Sequence, residues 1–306
     1  MISEIRLVTF TAILMLIFFV LPVNANTPAE TLYFMGFKDN KWQLFYRKTG
    51  DLNFKRIKTA SEPRELYFSP HEQRIFYLDA ETRLRQLILG EKQKEKVLFS
   101  PSENDSYAQL FWDRAGSLLY MVKMPHGKSS EADIVVWHKG KIKPVVRQIS
   151  SQFEPFVYNK DWLYYGHVHC SLDCGHIIQE IWRKNLISGE AEQISLLGQI
   201  SRQAVVDSEG KWVYFSSNKQ GQYHIWRQAL SGVSSQNKGC KLCSAQQITK
   251  GNVTDTDPAI NKEGEIFFIR HTQGKAFLMN YKKEGVLKRI ALPEGVSEIR
   301  NLRINS

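Results

Sequence analysis

Residues 200–230 read ISRQAVV (200–206), DSEGK (207–211), WVYFSS (212–217), NKQGQ (218–222) and YHIWRQAL (223–230). The apolar pieces are short and rich in β-branched and aromatic residues, as strands are. The pieces between them are turn material, an Asp-Ser-Glu-Gly turn and a glycine-containing hairpin. A fourth strand follows at AQQIT (245–249). Four antiparallel strands joined by such turns make one blade of a β-propeller.

The second strand of this blade carries the apolar triplet VYF at 213–215, and similar triplets recur along the chain. They are LYF at 32–34, IFY at 75–77, LLY at 118–120, LYY at 163–165 and IFF at 266–268. Their central residues, Tyr33, Phe76, Leu119, Tyr164, Tyr214 and Phe267, are 43, 43, 45, 50 and 53 residues apart. A period of about 40–50 residues built on short strands is a propeller period. First-strand turns recur as SPHEQ (69–73), DRAG (113–116), NKD (159–161) and NKEG (261–264). Several third strands, such as DIVVWHKG (133–140), end in a glycine that permits a tight turn into the fourth.

The two ends of the repeat complete each other. Residues 31–59 supply a second, third and fourth strand but no first one, and SEIRNLRINS at 297–306 supplies a lone strand. The predicted fold class is therefore all-β: a six-bladed β-propeller of four-stranded antiparallel blades, with the C-terminal strand pairing into the first blade. Such closure removes the free sheet edges that invite aggregation.

The stretch 207–230 resembles the repeat of the TolB-like propeller family, whose blades carry a Ser-Pro-Asp-Gly-type turn before the second strand. Ser69-Pro70 followed by His71-Glu72, Glu209-Gly210 and Glu263-Gly264 each keep part of that turn. The resemblance covers about residues 30–306 and extends to the propeller alone, because nothing here matches the N-terminal α/β domain that precedes it in family members. It implies a periplasmic propeller that binds other molecules.

Residues 1–25 read as a signal peptide rather than as fold. Leu7 to Val23 is almost wholly apolar, Arg6 precedes it, and Val23-Asn24-Ala25 forms a small-residue cleavage site. The alternative, a retained anchor, would use a stretch close to the lower length limit for a membrane span. No other segment approaches that length, so the expected layout is a leader at 1–25 and a single propeller domain at 26–306, periplasmic or secreted. The net charge is +10, and removing Glu4 and Arg6 together leaves it there. A basic exported protein favours anionic partners such as an acidic protein face or an anionic glycan. Its Lys and Arg residues are nonetheless scattered over loops and outer strands, as on a solvated surface. No nucleic-acid motif accompanies them.

Four cysteines fall in two close pairs, Cys170 and Cys174 in HCSLDCGH and Cys240 and Cys243 in GCKLC. An even count in an exported chain favours disulfides. A shared four-cysteine zinc site is the rival. The first pair lies between strands two and three of its blade, however, and the second between strands three and four. Successive hairpin loops leave opposite faces, about 17–20 Å apart. Two local disulfides, Cys170–Cys174 and Cys240–Cys243, are expected. His167, His169 and His176 beside the first pair leave a mixed Cys/His metal site as an alternative, although the spacing is irregular.

No nucleophile elbow, zinc-protease, P-loop or dinucleotide motif is present, so neither a catalytic residue nor a cofactor site is predicted. Asp79, Asp113, Asp207, Asp255 and Asp257 stand at turn or strand-end positions, where Asp caps the backbone. Trp112, Trp162 and Trp212 read as inter-blade core. The insertions KMPHGKSSEA (123–132) and GHVHCSLDCGHIIQ (166–179) both join strands two and three in neighbouring blades, which places them side by side on one face. Lys123, His126, Lys128, His167 and His169 on that rim are the candidate binding surface. The expected role is a binding or scaffold module with an envelope protein as partner. The alternative is a propeller acting on an anionic glycan at its central channel.

Overall fold

The computed structural model describes residues 29–90, 92–169, 175–230, 245–282 and 285–305. The leader at 1–25 and all four cysteines lie outside the described residues, and with them both disulfide expectations and the metal alternative.

The described chain forms six four-stranded antiparallel sheets. Blade one holds β1 (Thr31–Lys38), β2 (Lys41–Lys48) and β3 (Lys55–Ile57). Blade two is β4 (Glu65–Ser69), β5 (Arg74–Leu78), β6 (Leu84–Ile88) and β7 (Lys94–Phe99). Blade three is β8 (Asp105–Asp113), β9 (Leu118–Pro125), β10 (Asp133–His138) and β11 (Lys141–Val146). Blade four is β12 (Gln152–Tyr158), β13 (Trp162–His169), β14 (Ile178–Asn185) and β15 (Ala191–Gln193). Blade five is β16 (Ser201–Val206), β17 (Trp212–Gln220), β18 (Gln222–Ala229) and β19 (Gln246–Gln247). Blade six is β20 (Thr254–Ile260), β21 (Ile266–Thr272), β22 (Lys275–Tyr281) and β23 (Leu287–Ile290). The last strand, β24 (Glu298–Asn305), runs antiparallel to β1 as the inner strand of blade one and closes the ring.

The triplets mark the second strands because those strands are buried on both faces. Each blade packs against a neighbour on either side, so alternation gives way to continuous apolar runs. Tyr33, Phe34 and Met35 of β1 are fully buried, as are Ile75, Phe76 and Tyr77 of β5, and the triplets of β13, β17 and β21 are buried as well. One register detail differs from the sequence reading. In blade three the residue facing the inner strand is Tyr120, which pairs with Phe111, not Leu119, which pairs with Trp112. Tyr120 is thus the counterpart of Tyr164, which pairs with Phe156. Shifting the triplet by one makes the neighbouring steps more even.

Among the described residues, five apolar clusters fill the seams between blades. The largest runs across blades two, three and four, through Phe76, Trp112, Tyr120 and Tyr165. The seam between blades six and one holds Ile269 and Leu278 against Phe34, Ile299 and Leu302, so the closing strand contributes core as well as hydrogen bonds. Outer strands carry the opposite chemistry. Lys55 and Arg56 of β3, Lys94 and Lys96 of β7, Lys141 and Lys143 of β11 and Lys288 and Arg289 of β23 are mostly exposed. With Pro144 on β11 they blunt the free edges of blades one, two, three and six. Part of the basic charge is therefore edge protection. Turn glycines hold neighbouring blades close: Gly210 sits at φ +68°, and a Cβ there would come within 2.7 Å of the Tyr158 hydroxyl across the seam.

Trp112 is buried as expected, with its Nε1 donating to Glu72 at 2.6 Å. Trp162 and Trp212 are only partly buried, and each carries an arginine on its ring, Arg183 at 4.3 Å and Arg227 at 4.4 Å.

Candidate functional site

The inner strands line the central channel, and five of the six break their pairing at one equivalent point. In β8 the register slips between Ala108 and Phe111, in β12 between Phe153 and Phe156, and in β16 between Arg202 and Val205. The slip in β20 lies between Thr256 and Ala259, and in β24 it falls between Arg300 and Arg303, opposite Met35 and Tyr33. Each slip is a β-bulge, two residues facing one. The first residue of each bulge is left-handed: Gln109 (φ 54°), Glu154 (φ 59°), Gln203 (φ 60°), Asp257 (φ 52°) and Asn301 (φ 54°). None is glycine, so each costs about 1–2 kcal/mol. Strain of this kind persists only where the surroundings over-determine it.

Those surroundings are hydrogen bonds from blade to blade. Gln109 Oε1 accepts from the backbone N–H of Glu154 at 2.8 Å, and Glu154 Oε2 from that of Gln203 at 2.7 Å. Gln203 Oε1 in turn accepts from the backbone N–H of Asp257 at 2.9 Å, and from Ser216 Oγ at 3.1 Å. Asn301 Nδ2 donates to Glu65 Oε2 at 2.8 Å, joining blade one to blade two, where β4 has no bulge and Glu65 opens the strand. Every blade thereby contributes one acid or amide to a polar ring around a cavity of about 230 Å³.

Charge in this ring is unevenly distributed. Arg202 reaches Glu154 with Nε and Nη2, both at 3.0 Å. Burial pushes the Glu154 carboxyl above its ordinary range, against the pull of Arg202. Burial pushes Glu65 up as well, against Asn301, Arg300 and Arg303. The Asp257 carboxylate takes no hydrogen bond and no ion pair among the described residues. Arg202 acts on both Glu154 and Asp257, while Arg300 and Arg303 act on Glu65 from the closing strand.

A second ring lies two residues further along each inner strand. It consists of Tyr67, Phe111, Phe156, Val205, Ala259 and Arg303, each paired with the central residue of a second strand. Tyr67, Phe111 and Phe156 meet edge to face in series, with centroids 5.3 and 5.2 Å apart. Blades two to four therefore close this level with aromatic rings. Blades five and six offer the small Val205 and Ala259, and the space is open there.

The acids read as caps divide into two groups. Asp113 accepts from the N–H groups of Ala115 and Gly116, and Asp207 from those of Lys211 and Trp212, as expected. Asp79 also caps, accepting from the N–H groups of Glu81 and Arg83, while pairing with the side chains of Arg83 and Arg85. Asp255 and Asp257 do not cap. Asp255 is fully buried in a bidentate pair with Arg270, at 2.7 and 2.8 Å, with His224 Nδ1 4.0 Å away. Asp257 belongs to the channel ring, because the bulge turns it inward.

The rim residues fall at the end of the propeller where the inner strands begin. Lys123, near the end of β9, pairs with Asp105 at the start of β8 at 2.9 Å. The left-handed His126 donates its backbone N–H to Asn104, and Lys128 lies exposed in the same loop. His167 pairs with Gln152 at the start of β12, stacks on His169 at 5.9 Å and meets Trp182 edge-on at 5.4 Å. Burial and the neighbouring His169 hold its pKa below the ordinary value. The backbone N–H of Gln152 donates to Ala132 across the seam at 2.8 Å, which ties the two rim segments together. The polar ring lies nearer the starting ends of its strands than the aromatic ring does, so rim and polar ring share one face. Among the described residues, no group of three or more His, Cys, Asp or Glu could hold a metal ion.

The polar ring was missed in the sequence, although a signal was there. An acid or amide followed by Leu, Pro or Ala opens the same stretch of every first strand: Glu65-Leu66, Gln109-Leu110, Glu154-Pro155, Gln203-Ala204, Asp257-Pro258 and Asn301-Leu302.

No protein-family model matches the chain, and no curated protein matches it either. Solved structures do. TolB from Acinetobacter baumannii is similar at a TM-score of 0.68 and 13% identity, over 90% of this chain and 66% of that one. A putative TolB from Agrobacterium tumefaciens is similar at 0.57 and 12%, over 86% and 88%. An oligogalacturonate lyase from Vibrio parahaemolyticus is similar at 0.56 and 11%, over 88% and 83%. The chain spans just under two-thirds of the Acinetobacter protein. At these identities the likeness is one of fold, and the fold is that of a TolB-like propeller.

Proposed function

We propose that this TolB-like propeller is an exported, periplasmic binding module of the cell envelope, and that a segment of a partner protein seats in the polar mouth of its channel. The observation that carries this reading is the ring of six polar side chains, five of them held in left-handed bulges at a cost in backbone strain. A ring needed only to join blades would not require a carboxylate that no hydrogen bond or ion pair holds, as that of Asp257 is among the described residues. The His and Lys residues of the rim lie on the same face and extend the docking surface around the mouth. No helix among the described residues is long and apolar enough to cross a membrane.

The charge balance favours a peptide segment over an anionic glycan. A polyanion entering the mouth would meet the carboxylates of Glu65, Glu154 and Asp257 before any of it reached Arg303, and Arg202 is already paired with Glu154. Peptide N–H groups and cationic side chains suit that environment instead. The test is affinity capture of the tagged mature protein from cross-linked envelopes. A specific protein partner is expected; recovery of glycan alone would contradict the reading.

A further inference from the structure

Arg303 is the cation of the second ring, and its surroundings leave it unanswered. Its Nη2 donates to the carbonyl of Leu110 at a long 3.4 Å, and the Tyr67 ring lies 5.8 Å away. Its Nε is buried without a partner, and no carboxylate lies within ion-pair distance among the described residues. Glu65 feels its field, but the Glu65 carboxylate is held by Asn301. Arg303 is partly buried, so its charge is partly removed from water with no paired carboxylate to answer it. A guanidinium that lines a cavity and is held by no carboxylate is matched by one.

The walls define the rest of the ligand. At the depth of Arg303 the open side is lined by Val205 and Ala259, with Val206, Ile260 and Ile304 beyond, and so takes a small apolar side chain. One level nearer the mouth, on the neighbouring inner strand β20, stands the carboxylate of Asp257, which no hydrogen bond or ion pair holds among the described residues. Carboxylate first, small apolar group beside it, and a nitrogen donor one level behind describe the carboxyl end of an extended peptide. We propose that the channel holds a peptide by its terminal carboxylate, bound at Arg303, with the amide or ammonium nitrogen behind it facing Asp257. This rests on the channel being the binding site and adds which end of the peptide enters it.

The test is calorimetric titration of the mature protein with tri-alanine and with tri-alanine amide. The free acid is expected to bind at least ten-fold more tightly than the amide. Arg303→Met should weaken binding of the acid to the level of the amide, with Arg303→Lys in between. Because the acid–amide comparison uses the unaltered protein, a folding defect in either variant does not blunt it. Equal binding of acid and amide overturns the proposal, and so does the absence of saturable binding up to about 1 mM. N-acetyl-tri-alanine separates two sources of the same carboxylate. Undiminished binding identifies the tail of a protein, whose chain continues behind the site, whereas loss identifies a short free peptide whose ammonium Asp257 receives. If acid and amide bind alike while cross-linking from the channel still traps a partner, only the role of Arg303 falls. If channel cross-linking fails too, the channel reading falls with it.

Discussion

Replacing Leu302 by alanine tests whether the ring is closed by its last strand. Leu302 is 3% exposed and packs with Ile299, Phe34 and Ile269 in the seam between blades six and one. Its substitution removes buried methyl groups from a seam that cannot collapse without moving a whole blade, so the loss is about 2–5 kcal/mol. At about 2–4 °C per kcal/mol for a domain of this size, the melting temperature should fall by about 10 °C. Deleting residues 297–306 should do more, since it also strips β1 of its inner partner and exposes an edge that can recruit other chains. The assay is thermal unfolding followed by far-ultraviolet circular dichroism, with light scattering for the deletion. Ile187→Ala is the control: that residue is 80% exposed, and its loss should cost no more than about 0.5 kcal/mol. If Leu302→Ala melts with Ile187→Ala and the deletion stays monomeric and as stable as the full chain, the closure argument is refuted.

Further outcomes follow from the buried charges. Burial raises the carboxyl pKa of Glu65 and of Glu154, so the folded protein still holds protons that the unfolded chain has released. Between the ordinary glutamate range and the raised values, stability should fall as pH rises, then level off; urea titrations of Glu65→Gln and Glu154→Gln should show this slope flattened. His224 behaves in the opposite sense: burial lowers its pKa, with Asp255 pulling up and Arg270 pushing down. Here the unfolded chain binds the extra proton, so stability should fall as pH drops below about 6.5, and His224→Gln should remove that dependence. Breaking the buried Asp255–Arg270 pair by Arg270→Met should cost about 3–5 kcal/mol in urea unfolding, and the double variant Asp255→Val with Arg270→Met should recover part of it.

The architecture was legible because burial on both faces leaves a mark that one sequence retains. Second strands such as Ile75–Tyr77 and Val213–Phe215 are continuous apolar runs, and turn residues separate them at a propeller's spacing. The lone strand at 298–305 could be assigned to blade one because that blade lacked an inner strand. The channel was not legible in the same way. Whether Asp257 caps a turn or points into a channel depends on a bulge, which is a matter of backbone register and not of residue type. Asp257-Pro258 reads as a turn, and its left-handed φ follows only from the slip between Thr256 and Ala259. Asp255 was misread for a related reason, since its partner Arg270 lies across the strand pair rather than nearby in sequence. Loop counting puts Lys123 and His167 at one end of their blades, but the pairing of Lys123 with Asp105 and the partial burial of His167 are long-range facts.

The central claim is that the channel mouth receives the partner, and placing a photo-reactive side chain there tests it most directly. A benzophenone amino acid at Gln109, in the polar ring, would be compared with one at Lys96 on the exposed outer strand of blade two, in envelopes of living cells. The account predicts a partner cross-linked from position 109 and absent from position 96. Cross-linking from position 96 alone, with the channel position silent, would contradict it.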